Sequence, residues 1–233
     1  MESKYFIPKS KRLKIAIFVT ILVAISVTIL GIASGSNLEG KGKNKPTAVA
    51  FHDTWRKLWE DHIIWTRMVI IGILNNVPCI DQAKQRLLQN SDDMENILTP
   101  YYGADAANEL GDLIEEHLLI AVDILEAAKA GNTTDFNNAV NEWYANADEI
   151  AAQMDTMNHK HWPLSEAQAM WKSHLDATLA EINARLTNDC AGDITAFDQV
   201  EEQALTMADF FSEGTIRKFE GKFKSVGCIK KSK

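Results

Sequence analysis

The segment EEHLLIAVDIL, residues 115–125, has the apolar spacing of a helix that packs against a protein core. On a 3.6-residue period, the face that holds His117 is otherwise apolar, with Leu113, Ile114, Ile120, Ala121, Ile124, Leu125 and Ala128. A buried imidazole needs a hydrogen-bond partner, because an unpaired polar group in a core is costly. The segment therefore predicts a buried helix that carries one polar side chain.

This feature occurs two more times in the chain. WEDHIIWTRMV contains His62, 55 residues before His117, and WKSHLDATLAE contains His174, 57 residues after it. From residue 47 onward the spacing predicts six helices, at about 47–75, 81–98, 104–130, 134–157, 165–186 and 193–212. Taken in pairs they form three helical hairpins of similar length, each with a histidine near the start of its first helix. We predict an all-α fold, a four- to six-helix bundle built from helical hairpins, preceded by a transmembrane helix.

Charge divides the 233 residues into three parts. Residues 1–46 contain eight Lys or Arg and two acids, residues 47–216 contain nine and twenty-nine, and residues 217–233 contain seven and one. A body with such a surplus of acids repels phosphate backbones, so nucleic-acid binding is disfavoured, while cations and basic partners remain. We interpret residues 47–216 as an acidic helical bundle and residues 217–233 as a basic, solvated tail.

The amino-terminal part predicts a membrane anchor. Residues 15–30, IAIFVTILVAISVTIL, contain no charge, and GIA extends the run to residue 33, at the lower limit for crossing a bilayer. The basic segment 1–14 before it favours an amino terminus in the cytoplasm and a body outside. A signal peptide cleaved near residues 33–35 is the alternative, although the run is longer than most signal-peptide cores. Residues 34–46 then form a flexible tether.

These segments predict a single-pass protein of the cell membrane with an extracytoplasmic body. The membrane is then the first partner of the protein. Only fourteen residues precede the apolar run. A signal would therefore have to pass through a second protein in the membrane, which makes a membrane protein a candidate partner.

The three histidines are the main candidate site. Inward-facing side chains of helical bundles can bind metals, so we consider a divalent metal held by a buried polar layer. Each second helix carries a small polar residue and an acid 28 to 35 residues after the histidine. The candidate metal ligands are His62, His117, His174, Asp93, Asp148 and Asp209, beside Asn90, Asn146 and Thr206. The alternative is three core histidines, each paired with an internal acceptor.

Two further features are candidate sites. Met154, Met157, His159 and His161 offer thioether and imidazole groups that suit copper, although loop histidines beside core methionines are the favoured explanation. Cys79 and Cys190 lie at equivalent breaks of the first and third hairpins, so a disulfide between them is conceivable outside the cytoplasm. The distance and orientation of Cys79 and Cys190 decide whether this disulfide forms, and Cys228 has no cysteine partner whether it forms or not.

Five segments resemble an uncharacterised family of small all-helical prokaryotic proteins. They are LWEDHIIWTRMVII (58–71), RLLQNSDDMEN (86–96), PYYG (100–103), EEHLLIAVDILEAAKAG (115–131) and WYANADEIA (143–151). Members of that family often carry the labels glycosyltransferase or acetylglutamate kinase. The resemblance implies a helical fold and supplies no mechanism, since this chain has neither a Gly-rich phosphate loop nor alternating strands and helices.

The residues present no clear catalytic centre, since no Gly-x-Ser-x-Gly motif occurs and no carboxylate pair stands out among the acids. Enzymatic activity is therefore the less favoured interpretation. We predict a membrane-anchored, extracytoplasmic helical bundle that acts as a non-enzymatic binding, sensory or structural module. The alternative is a metal-binding or metal-dependent helical protein that uses the buried histidines.

Overall fold

A computed structural model describes residues 45–224 of the chain. Six helices account for nearly all of this part, which confirms the predicted all-α bundle of hairpins. The helices are α1 (Ala48–Leu74), α2 (Ile80–Tyr102), α3 (Ala104–Lys129), α4 (Thr133–Asn158), α5 (Leu164–Leu186) and α6 (Cys190–Lys218), and a 3₁₀ turn follows at Glu220–Lys222.

Polar side chains begin three of the helices. The hydroxyl of Thr47 accepts a hydrogen bond from the N–H of Ala50, the side chain of Asn132 accepts from Asp135, and that of Asp189 accepts from Gly192. Each bond satisfies an N–H group that has no carbonyl partner within its own helix. The predicted starts of α1 and α4 lie within one residue of the observed first helical residues, whereas α6 begins three residues earlier than predicted.

The predicted end of α2 at Thr99-Pro100 is wrong. The helix continues through Pro100 to Tyr102 and ends at Gly103, which has a φ of 88° that few residues other than glycine adopt. Proline lacks the N–H that would donate to the carbonyl four residues earlier, and its ring crowds that carbonyl. So close to the end of a helix, the loss of that single bond does not stop the chain from continuing in helical geometry.

Neighbouring helices in the sequence pack side by side, and α1 also packs against α6, so the six helices close into a ring. Helix α1 contacts α3 and α5 across the interior. The largest fully buried side chains include five of the six tryptophans: Trp55, Trp59, Trp143, Trp162 and Trp171. The first helices of the three hairpins therefore present their buried faces to a shared, aromatic core.

The predicted basic tail is only partly a solvated terminus. Phe223 is buried, with ring centroids 5.2 Å from Phe51 and 5.4 Å from Tyr101. The N–H of Lys224 donates to the carbonyl of Pro46 at 2.9 Å. The burial of Phe223 thus holds the chain against the body as far as Lys224, although the basic charge of this segment predicted that it would be solvated.

The predicted cytoplasmic segment, the anchor or signal peptide, the tether up to residue 44 and Cys228 lie outside the described residues. Within residues 45–224, no helix combines the length and the apolar character needed to cross a membrane.

Candidate functional site

The fold brings the three predicted histidines together. His62 lies on α1, His117 on α3 and His174 on α5, and each is at most 3% exposed. The imidazole centroids of His62 and His174 are 5.5 Å apart, and those of His117 and His174 are 6.3 Å apart. We call this group the histidine cluster.

Each imidazole is held by an amide from the second helix of its own hairpin. The Nδ1 atoms of His62, His117 and His174 are bonded to the side-chain oxygens of Asn90 (2.9 Å), Asn146 (3.1 Å) and Gln203 (3.0 Å). Each amide nitrogen then donates to the main-chain carbonyl four residues before the histidine, in Leu58, Leu113 and Met170. The same histidine–amide unit therefore occurs in all three hairpins.

This bonding decides which imidazole nitrogen carries the hydrogen. An amide nitrogen only donates and an amide oxygen only accepts. Because the nitrogen of Asn90 donates to the carbonyl of Leu58, its oxygen faces His62, whose Nδ1 must be the donor. The same holds in the other two units. Each neutral imidazole consequently keeps the lone pair of Nε2 for another partner.

Aromatic rings surround the histidine cluster. The ring of Trp59 lies 5.0 Å from His62 and 5.5 Å from His174, between centroids, while Trp143 stacks on His117 at 4.9 Å. The indole N–H of Trp143 also donates to the carbonyl of His117. Two polar atoms here are buried without a hydrogen-bond partner, the Nε2 of His117 and the indole nitrogen of Trp59.

These surroundings keep the histidines neutral. Burial lowers the pKa of His62 to about 4 and that of His174 to about 3, because a low-dielectric interior disfavours the charged imidazolium. Burial also places the pKa of His117 well below its ordinary value, and the neighbouring histidines lower it further. All three rings are uncharged at neutral pH.

The structure separates the predicted carboxylates from the histidines. Asp93 lies 3.7 Å from Arg86, Asp148 accepts from Gln168 at 3.0 Å, and Asp209 is bonded to Arg56 and His52 at 2.9 and 2.8 Å. A buried carboxylate costs more free energy than a buried amide, which explains why amides occupy the inner positions. The predicted ligand set of three histidines with three aspartates is therefore not assembled.

The third amide was missed. Thr206 donates its hydroxyl to the carbonyl of Glu202 in its own helix, and Gln203 holds His174 instead. A signal for this existed, because the three amides follow their histidines by 28, 29 and 29 residues.

Among residues 45–224, no group of three or more His, Cys, Asp or Glu side chains is placed to hold a metal ion.

The methionines and histidines of the candidate copper site lie in different environments. Met154 and Met157 are buried, and the sulfur of Met154 accepts from the indole of Trp171 at 3.3 Å. His159 is exposed and pairs with Asp155. The methionines therefore pack in the core, whereas His159 lies at the surface.

The disulfide considered between Cys79 and Cys190 is absent from the structure. Cys79 directly precedes α2, Cys190 is the first residue of α6, and both thiols are free and exposed. Equivalent positions in two hairpins therefore did not bring the two sulfur atoms into bonding contact.

One buried charged group was not predicted. Arg67 on α1 is bonded to Asp193 at 2.8 Å and to Glu181, and Arg185 lies 2.9 Å from Asp193. Burial raises the pKa of Glu181 to about 7, while the positive charge of Arg67 opposes that rise. The group links α1, α5 and α6, and its charges compensate one another, so we assign it to the packing of these helices.

Comparisons with protein-family models, with curated proteins and with solved structures give no match. The resemblance to a helical prokaryotic family accordingly stays a prediction.

We expect Asn146→Ala to lower the free energy of unfolding by roughly 1–3 kcal/mol, because it leaves the Nδ1–H of His117 buried without a partner and removes the side-chain hydrogen bond to the carbonyl of Leu113. Asn141→Ala is the matched control, since Asn141 is exposed on the same helix, and it should change stability by at most about 0.5 kcal/mol. Urea unfolding measures both. An equal loss of unfolding free energy in the two variants would contradict a stabilising role for the histidine–amide unit.

Stability should also fall as the pH drops below about 6.5. The pKa of His62 is about 4 in the folded chain and about 6.5 in the unfolded chain, so over this interval only the unfolded chain binds the proton. The stabilisation is complete above the unfolded pKa and is lost as the pH falls through the folded one. At about 1.4 kcal/mol per pKa unit, His62 alone contributes about 3 kcal/mol.

The control for this dependence is His62→Gln, which keeps a hydrogen-bonding side chain but does not titrate. Its urea midpoint should vary less with pH than that of the natural chain. Glu181 contributes in the opposite direction between pH 4.5 and about 7 in both proteins, because its folded pKa is raised. Identical pH profiles for the two proteins would refute the neutral burial of His62.

Proposed function

We propose that the protein is a single-pass membrane protein whose acidic helical body lies outside the cytoplasm and acts by binding or structural support, without catalysis. The uncharged run at residues 15–30 and the basic residues before it support the anchor and its orientation. The folded body supports the second part of the proposal.

One observation carries the non-enzymatic interpretation. The side chains most suited to acid–base chemistry in the described body spend their hydrogen bonds on the fold itself. Each buried histidine is bonded to an amide of its own hairpin, and Asp209 is bonded to Arg56 and His52. A catalytic acid or base needs a titration range near the working pH, which neutral imidazoles with strongly lowered pKa values lack.

The charge of the body indicates the kind of partner. Residues 47–216 contain twenty-nine acids and nine bases, and the long α-helical faces expose most of them to solvent. Such a surface attracts cations and basic protein segments and steers them at long range. A basic extracytoplasmic segment of another membrane protein is the partner that fits this charge and location.

Metal binding is the second candidate, and the histidine cluster favours it. In most metal sites the nitrogen that does not bind the metal donates to a second group, which fixes the ring and its tautomer. The three histidine–amide units supply that arrangement and leave each Nε2 lone pair free of a hydrogen. The Nε2 of His117 is moreover buried without a partner. Binding would require the rings to move, since no metal-ready group exists among the described residues.

The location can be tested with the natural cysteines. Cys79 and Cys190 are exposed and free, so in a Cys228→Ser variant a membrane-impermeant maleimide should label intact, reductant-treated cells. A variant in which Lys4→Cys is the single cysteine should react only after lysis. The labelled protein should also stay with the membrane after alkaline extraction. Labelling of the body that requires lysis would overturn the proposed location.

Metal content separates the two candidates. The full chain, purified in detergent without a polyhistidine tag, should be titrated with Zn, Cu, Mn and Fe and examined by elemental analysis. The second candidate predicts one metal per chain, lost in His117→Gln and retained in the exposed-loop control His159→Gln. The first candidate predicts no stoichiometric metal. Binding that both variants retain would exclude the histidine cluster as the site.

A further inference from the structure

The described chain begins and ends at the same end of the bundle. Thr47 and Lys224 form a parallel bridge, the N–H of Lys224 donates to Pro46, and the ammonium of Lys45 donates to the carbonyl of Gly221 at 2.6 Å. Helices α2, α4 and α6 end here and α1, α3 and α5 begin here. We call this surface the entry end, formed by residues 45–49, 100–105, 155–166 and 213–224.

The entry end differs in charge from the rest of the acidic body. Its exposed bases are Lys45, Lys160, Arg217, Lys218, Lys222 and Lys224. Its acids are Asp105, Asp155, Glu166, Glu213 and Glu220, of which Asp155 pairs with His159 and Glu213 with Arg217. Positive and negative charges are therefore balanced here, whereas acids prevail threefold over residues 47–216. An anionic surface repels this end least and the remaining body most.

Apolar and aromatic groups accompany these bases. Val49 is 63% exposed and Leu164 is 39% exposed. The ammonium of Lys218 lies 5.2 Å from the ring centroid of Tyr102, and that of Lys222 lies 5.1 Å from that of Phe219. Lysine stems over aromatic rings beside exposed aliphatic groups are typical of protein surfaces that meet a lipid interface.

The lysines keep donors for a ligand. Lys222 donates one N–H to the carbonyl of Pro100 at 2.5 Å, and Lys218 donates one to the carbonyl of Met157. These bonds neutralise the carbonyl ends of α2 and α4. An ammonium has three N–H groups, so two of them on each lysine remain for phosphate oxygens.

We propose that the entry end binds the anionic phospholipid headgroups of the membrane in which the protein is anchored, and thereby holds the body upright. This inference rests on the proposed anchoring. On that proposal, eleven residues separate the end of the apolar run at residue 33 from Lys45, which limits the distance between the bilayer and the entry end to roughly 40 Å of extended chain. An anionic bilayer repels the acidic remainder while the lysines of the entry end bind its phosphate groups, and the two effects orient the body in the same sense.

The orientation can be measured by energy transfer from Cys190, at the opposite end of α6, to an acceptor lipid. At 1.5 Å per residue the 29 residues of α6 span about 43 Å, so an upright body holds the dye far from the bilayer. The full chain, with Cys79→Ser and Cys228→Ser, is placed in nanodiscs of phosphatidylcholine alone or mixed with phosphatidylglycerol. We expect lower transfer efficiency in the anionic discs, and loss of this difference at high salt.

Matched charge reversals test the surface itself. Lys160→Glu with Lys224→Glu should abolish the difference between the two lipids. Lys84→Glu with Lys129→Glu changes the net charge equally near the other end of the bundle and should preserve it. Equal transfer in both lipids for the natural sequence overturns the inference while leaving the anchor intact. A chain that does not enter the discs overturns the proposed anchoring as well.

Discussion

The hydrogen bond from each buried imidazole to an amide of the facing helix is the interaction on which the rest of the body depends. The amide touches its partner helix twice, at the imidazole and at the carbonyl four residues earlier, so it fixes the axial register of the hairpin. Three hairpins with the same register place His62, His117 and His174 at one level. The aromatic core then closes around neutral rings, because a charged imidazole at that depth would be far more costly than an amide-bonded one.

The bundle accommodates buried polar groups in two ways. Around the histidine cluster the polar groups are neutral, and the orientation of their hydrogen-bond donors and acceptors determines how they pair. Between α1, α5 and α6, the guanidinium of Arg67 pairs with the carboxyl groups of Glu181 and Asp193. Removing one partner of the charged group would leave an unpaired buried ion, whereas removing an amide leaves one unpaired neutral donor, which is the smaller penalty. The two groups share α1 and α5, and there the loss of a charged partner destabilises the bundle more than the loss of an amide.

Apolar periodicity predicted the six helices and the shared face of the histidines, because a 3.6-residue repeat records which side of a helix is buried. It did not predict the hydrogen-bond partners of the histidines. Asp209 and Thr206 lie on α6 within two turns of Gln203, and only side-chain length and the cost of burying a carboxylate select the glutamine. The passage of α2 through Pro100 and the free state of Cys79 and Cys190 also escaped prediction. Those outcomes depend on three-dimensional distances that spacing along one chain does not contain.

The fixed tautomer also limits what the histidine cluster can bind. With Nδ1–H committed to an amide, each imidazole offers only the lone pair of Nε2 to the interior. A ligand at the unpaired Nε2 of His117 must therefore supply a proton to donate or an empty orbital to fill, since that atom can only accept. The acidic exterior selects in the same direction, since it concentrates cations and repels anions. Charge outside and lone pairs inside thus favour the same class of ligand, although they arise from separate features of the sequence.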